Sequence, residues 1–216
     1  DDIIPNRDKP TLDDVSMFKN QMAVLARIDG NLEIRLFNFE DESWYNIEMN
    51  DDIYSVTFEE NYVWNSDFFR DGYGSFKTPY CVYDIDFKTH KKTLQKKEEI
   101  LGGYESENYV SERIWAPTHD GKKLAITLLY KKGIDLKGNN PCFLWGYGSY
   151  GATYDPWFSS NIPSLVDRGI VYARAHIRGS SFMGRKWYLD GKLKQKKNTF
   201  EDFISAGRFL ANEGIT

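Results

Sequence analysis

Cysteine is scarce in this sequence: the 216 residues hold 2, Cys81 and Cys142, far apart and in no metal-ligand spacing. Both lie in apolar runs, which reads as buried free thiols in a reducing compartment rather than a disulfide. No metal and no cofactor are expected. Long hydrophobic runs are missing too. Nothing approaches the about 20 apolar residues that a membrane-crossing helix needs, and the first residues carry no signal-peptide pattern. The expectation is a soluble, cytoplasmic chain without a membrane partner.

Aromatic residues, in contrast, are plentiful at 16%, with 14 Tyr, 14 Phe and 6 Trp. That excludes a disordered chain and points to strand-rich packing. The length suits one large domain or two units. The net charge of −4 hides an asymmetry: residues 1–105 carry 12 Lys+Arg against 22 Asp+Glu, residues 106–216 carry 16 against 10. Opposite signs suggest two units that attract one another. The basic half offers no aromatic-plus-basic face for nucleic acid, and its basic run Lys192–Lys197 reads as a solvated loop.

Residues 1–19 have no clear period. Met22–Ile28 and the run from Leu32 to Phe39 are β-rich and flank Asp29-Gly30-Asn31, a hairpin signal. Ile53–Phe58 with Tyr62-Val63-Trp64, and Pro79–Phe87 with Thr93-Leu94 across the polar turn Lys88–Lys91, give further strands. Short strands at this spacing fit a sandwich, a barrel or propeller blades, and no clean repeat chooses among them. After Gly102-Gly103 the pattern changes. Val110–Ala116 and Leu124–Tyr130 are strands joined through Asp120-Gly121, and Ile170–His176 is another. Helices are expected over Ser159–Arg168 and over Thr199–Asn212, the latter with Thr199 and Asp202 as a capping box and Gly214 as its stop. Strand, helix, strand, helix marks an α/β sheet.

Pro141–Gly151 organises this second half. Cys142–Trp145 is long enough for a buried strand and too short for a helix. Gly146, Gly148 and Gly151 then punctuate a Tyr-bearing loop of the kind that places polar groups at a site mouth. A plain Gly-rich turn with surface tyrosines fits this segment equally well.

Tyr109–Ala116, Asp120-Gly121, Trp145-Gly146-Tyr147-Gly148-Ser149-Tyr150-Gly151, Ala175-His176-Ile177-Arg178-Gly179, Met183-Gly184-Arg185, Trp187-Tyr188, Asp190-Gly191-Lys192 and Lys197–Phe203 follow in one order. Together they resemble the prolyl oligopeptidase family, and most of all its oligopeptidase B branch. The likeness covers Gly103 to Thr216 and, more weakly, Thr78-Pro79 with the strand after it. It implies a β plus α/β fold: the end of a β-propeller over residues 1–105, then the N-terminal part of an α/β-hydrolase domain over 106–216. It also implies a serine oligopeptidase that cleaves short peptides after basic residues by Ser-Asp-His acyl transfer. In such folds the nucleophile precedes the acid and the His. No Gly-x-Ser-x-Gly occurs in the sequence, so this chain alone is expected to lack the triad and to be inactive. A peptidase-dead or esterase-like relative and a non-catalytic interaction module remain the alternatives.

By the same resemblance Tyr147 matches the tyrosine that donates into the oxyanion hole. Tyr150 matches the aromatic lining the pocket for the residue before the scissile bond. His176 and Arg178 fall at structural positions. His90 and His119 read as exposed turn residues, and Asp167 and Asp190 as loop and helix-end residues without a partner base. One stretch departs from the family: Gly-Gly-x-Glu after the Arg is replaced by Gly179-Ser180-Ser181-Phe182. Ser180 would be strained at a positive φ, and Phe182 removes a carboxylate expected to serve Arg178 or Arg185.

Overall fold

A computed structural model describes Ile3–Ile4 and Pro10–Thr216; of the stretch read as lacking a period, Asp1, Asp2 and residues 5–9 lie outside the described residues. Three four-stranded sheets make up the fold. β1 (Thr11–Met17), β2 (Gln21–Ile28), β3 (Asn31–Asn38) and β4 (Trp44–Asn46) form the first, in chain order and antiparallel throughout. β5 (Ser55–Phe58), β6 (Phe68–Gly74), β7 (Cys81–Asp86) and β8 (Lys92–Lys97) repeat that order in the second. Two consecutive up-and-down four-stranded sheets packed face to face are propeller blades. Among the described residues before Ser106 there is no helix.

Asp29 and Gly30 take φ of 47° and 87°, the left-handed pair that closes a two-residue hairpin. Leu25, Ile34 and Leu36 of the first blade meet Val56, Phe69, Ile85 and Phe87 of the second in one core. Each such side chain removed from water contributes about 1.5–3 kcal/mol. His90 belongs to this blade contact. It is half-buried and stacks on Tyr45 at 3.5 Å, and burial lowers its pKa below the usual histidine value. The exposed-turn reading of His90 is thereby corrected.

The strand pairing also differs from the sequence reading at two places. Tyr62-Val63-Trp64 is an exposed loop, and the partner of β5 is β6, whose Asp71, Gly72 and Gly74 look like turn chemistry. A strand tolerates Gly72 here because the neighbouring Tyr80 hydroxyl fills its side-chain space, 1.9 Å from where a Cβ would stand. β1 lies in the stretch that had no clear period, most of its residues facing solvent.

Asp71 is 1% exposed, and one of its carboxylate oxygens has no hydrogen-bond partner. Desolvation pushes its pKa from 3.8 up to about 7, with Lys92 pulling the other way. A carboxyl that binds its proton more tightly in the folded state contributes stability fully present below the unfolded pKa, and loses it as pH rises through the folded one. Asp71→Asn should therefore change little at pH 4 and stabilise by on the order of 2–4 kcal/mol at pH 8. Urea unfolding at the two pH values checks this, and equal differences at both would refute it.

The third sheet holds β9 (Tyr109–Pro117), β10 (Lys123–Lys131), β11 (Cys142–Gly146) and β12 (Val171–Ala175) in the order β11-β12-β10-β9. β11 runs parallel to β12, while β10 pairs antiparallel with β9 and β12. Alternation along β12 sorts the layers. Val171, Ala173 and Ala175 pack with Ala206 and Leu210 of α3 (Lys197–Asn212). Tyr172 packs with Ile162 and Val166 of α1 (Asn161–Val166) and with Phe76 from the second blade. A short α2 (Arg185–Leu189) buries Trp187. Helices on both faces of a mixed sheet define an α/β unit, and the structure thus joins the end of a β-propeller to the start of an α/β-hydrolase domain.

β11 is the outermost of these four strands and is half-buried among the described residues. Both thiols are free; Cys81 is buried and Cys142 half-buried, with burial pushing the Cys142 thiol up to about 11. α3 begins at Lys197, two residues before the expected start, and Thr199 and Asp202 make no cap. The blades meet the third sheet at Arg27, whose guanidinium binds Asp155 at 2.6 and 2.9 Å and Asp13 at 2.7 Å. This pair runs against the bulk charges: the cation comes from the acidic half and the anion from the basic half. Arg113 adds a bond to Asn31 at 2.6 Å. Among the described residues no helix is long and apolar enough to cross a membrane.

Candidate functional site

Where β11 and β12 end, three loops cross at their glycines. A Cβ on Gly148 would lie 2.4 Å from the Arg178 carbonyl, one on Gly179 2.1 Å from the Gly148 carbonyl, and one on Gly191 2.1 Å from the Gly179 nitrogen. Only glycine permits backbones to approach this closely. Thr199 sits over the crossing and donates its hydroxyl to the carbonyls of Arg178 at 2.8 Å and Gly191 at 3.1 Å. The Gly151 nitrogen donates to the Gly179 carbonyl at 2.9 Å, and the Ser181 nitrogen to the Gly151 carbonyl at 3.1 Å. The loop after β11 is therefore tied to the loop after β12.

Arg178 anchors the crossing from within. Its side chain is fully buried, with Nε and Nη2 donating to Asp202 at 2.8 and 2.6 Å and Nη1 and Nη2 donating to Asp120 at 2.8 and 3.0 Å. The Arg178 backbone nitrogen donates to Asp202 as well, at 3.0 Å. Burial works against the charge, but the bonds to Asp202 and Asp120 outweigh it and raise the Arg178 pKa. The bond from Arg178 holds Asp120 well below the usual carboxylate range. Thr199 and Asp202, expected to cap α3, thus face the strand ends and bind Arg178.

Tyr147 stands between Gly146 and Gly148 on this held loop. Its ring meets Tyr154 edge-on at 5.2 Å, and Tyr154 in turn meets Trp145 at 4.9 Å. Among the described residues nothing hydrogen-bonds the Tyr147 hydroxyl. Tyr150 is 91% exposed and has a left-handed φ of 59°, a conformation that costs a side chain about 1–3 kcal/mol unless its surroundings hold it. With Ser149, Tyr188, Lys192 and Lys196 it lines a shallow cleft of about 300 Å³. Lys196 is half-buried in it, which corrects the reading of Lys192–Lys197 as uniformly solvated.

The other candidates do not gather here. His176 is buried, shares a 2.8 Å hydrogen bond between Nε2 and the Thr127 hydroxyl, and stacks on Phe182 at 3.6 Å. Burial, then Arg113, Arg174 and Arg27, holds its pKa well below the usual histidine value. Asp167 accepts from Tyr109 and Lys131, and Asp190 from Lys122. His119 is exposed. Among the described residues no group of three or more His, Cys, Asp or Glu comes together around a metal-sized site.

The altered loop is relaxed. The positive φ belongs to Gly179, at 95°, and not to Ser180, whose hydroxyl donates to the Ile177 carbonyl at 2.9 Å. Nor does Phe182 deprive Arg178, which is fully paired. Of the two cations facing position 182, Arg27 lies 6.0 Å from the Phe182 ring and Arg113 is nearer, at 5.0 Å, with two buried nitrogens lacking hydrogen-bond partners. Desolvation lowers the Arg113 pKa to about 10. Sequence reasoning missed Arg113 because the contact crosses from β9 to a loop about 70 residues away.

Two four-stranded blades followed by a mixed α/β sheet are the fold class that these residues define. The prolyl oligopeptidase family pattern matches residues 156–216, and that of the prolyl oligopeptidase N-terminal beta-propeller domain matches residues 1–98. The chain belongs to the prolyl oligopeptidase family. It is 40% identical over 214 residues to dipeptidyl aminopeptidase BI of Pseudoxanthomonas mexicana, covering 99% of this chain and 29% of the relative. Protease 2 of Moraxella lacunata is 31% identical over 216 residues, covering 99% and 31%. Oligopeptidase B from Trypanosoma brucei, solved in a closed form with covalently bound antipain, superposes with a TM-score of 0.93 at 36% identity, over 99% of this chain and 31% of that one. The chain therefore spans less than a third of the length of these relatives.

Proposed function

We propose that this chain supplies part of the catalytic site of a serine oligopeptidase that cleaves short peptides, after basic residues, by Ser-Asp-His acyl transfer. In this reading residues 1–105 are the C-terminal strands of the propeller, and residues 106–216 open the hydrolase domain. The triad lies outside the 216 residues, which alone are inactive. The observation that carries the proposal is the Tyr147 hydroxyl, unclaimed by any described residue, at the end of β11 on a loop tied to the buried Arg178–Asp202 pair. When a nucleophile attacks a peptide carbonyl, negative charge grows on the carbonyl oxygen. A fixed O–H aimed at that oxygen binds it more strongly in the transition state than in the ground state. Tyr150, on the same loop, offers its ring face to the substrate residue before the scissile bond, where a cation or an apolar side chain can pack.

The test is turnover by the full-length enzyme of short fluorogenic peptide amides ending in Arg, Lys, Pro or Ala, with a matched set of esters. Peptide turnover, fastest for Arg or Lys, is expected. Cleavage of esters alone would mark an esterase-like relative, and no turnover with no labelling by a fluorophosphonate would mark a non-catalytic module. Tyr150→Ala should raise KM several-fold with little change in kcat, because it removes ground-state contact. A fall in kcat at unchanged KM would remove Tyr150 from the pocket.

A further inference from the structure

Lys196 lies between the short turn Leu193–Gln195 and the start of α3. Its ammonium reaches away from the basic run and donates to the Gly148 carbonyl and, at 2.7 Å, to the Ser149 hydroxyl. These are the two residues that follow Tyr147. Half-burial lowers the Lys196 pKa below the usual lysine value, so the placement is maintained against a desolvation cost. Gly148 is packed tightly in the crossing, but its carbonyl has little other hydrogen bonding: Thr199 is 3.4 Å away and turns its shorter bonds to Arg178 and Gly191. Gly146 and Gly148 flank Tyr147, and a segment flanked by glycines has wide backbone freedom. The next residues include Tyr150 at a strained left-handed φ. The backbone bonds at Gly151 hold the far end of the loop, and Lys196 is placed to hold the stretch next to Tyr147.

We propose that Lys196 is a positioning residue for the oxyanion donor: its clamp on Gly148 and Ser149 sets where the Tyr147 hydroxyl points. This rests on the assignment of Tyr147 made above. Lys196 touches neither the substrate nor the reacting atoms in this role. A contrasting role is available on the same geometry, because Lys196 also lines the cleft beside Tyr150 and Tyr188. There it would bind an anionic group of the substrate, and its effect would fall on KM.

The experiment compares Lys196→Met, Lys196→Arg, Tyr147→Phe and the Tyr147→Phe/Lys196→Met double variant in the full-length enzyme. Rates are taken per active site counted by fluorophosphonate titration, so that misfolded protein does not enter kcat. Lys196→Met should lower kcat by about 10- to 100-fold, the scale of a donor displaced by up to an ångström, with KM within about twofold of the parent. Lys196→Arg should recover most of the rate, since a guanidinium also donates to a carbonyl and a hydroxyl at once. The double variant should be no slower than Tyr147→Phe by more than about twofold, as expected of residues acting as one unit. A parental kcat for Lys196→Met, a raised KM with kcat intact, or full additivity in the double variant would overturn the inference while leaving Tyr147 in place. A parental kcat for Tyr147→Phe would overturn the donor assignment and the inference with it.

Discussion

Tyr147→Phe in the full-length enzyme is expected to lower kcat by about 100-fold or more, the loss typical of one oxyanion donor, with KM close to the parent value. Phenylalanine keeps the ring, and with it the edge contact to Tyr154 at 5.2 Å. The loop conformation and the ground-state packing therefore persist, and only the O–H is lost. A donor to a developing oxyanion does its work in the transition state, so its removal appears in kcat and kcat/KM together and leaves binding alone. Steady-state kinetics on the best peptide amide decides the point. Unchanged kcat would remove Tyr147 from the chemistry, and a loss confined to KM would make it a binding residue.

Asp202→Ala is expected to cost about 3–5 kcal/mol of stability, because it leaves the buried Arg178 guanidinium without its closest partner. Asp120 binds the same guanidinium at similar distances, yet its side chain is 36% exposed while that of Asp202 is 0% exposed. Water screens and replaces an exposed partner, so Asp120→Ala should cost only about 1 kcal/mol or less. The comparison separates burial from bond length, which alone would rank the two carboxylates as equals. Urea unfolding of both variants in the full-length protein measures it. Equal costs would mean that Arg178 is solvated in solution and that the strand ends are not held from within. The same loss should weaken the glycine crossing at Gly148, so Asp202→Ala is also expected to lower kcat for the folded fraction.

The alternation of strands, the hairpin at Asp29-Gly30, the switch to α/β order after Gly102-Gly103 and the ordered motifs of the family were legible in the residues alone. These are local signals: period, turn chemistry and spacing are written in neighbouring residues. The pairing of Cys142–Gly146 with Val171–Ala175 agrees with chain order, because a short connection through one helix leaves few ways to return to the same sheet. Tertiary structure decided the rest. β6 was hidden because Asp71, Gly72 and Gly74 carry turn propensity, and a strand formed there only because neighbouring strands and the Tyr80 side chain override it. Thr199 and Asp202 have the spacing of a cap, yet Arg178, 24 residues before Asp202 in the chain, draws that carboxylate into the strand ends. Lys196 was indistinguishable from its solvated neighbours until folding brought Gly148 to its ammonium. A basic run has no local feature that marks the one lysine whose partners lie 47 and 48 residues away, and the contact exists only because three glycine-bearing loops cross at one point.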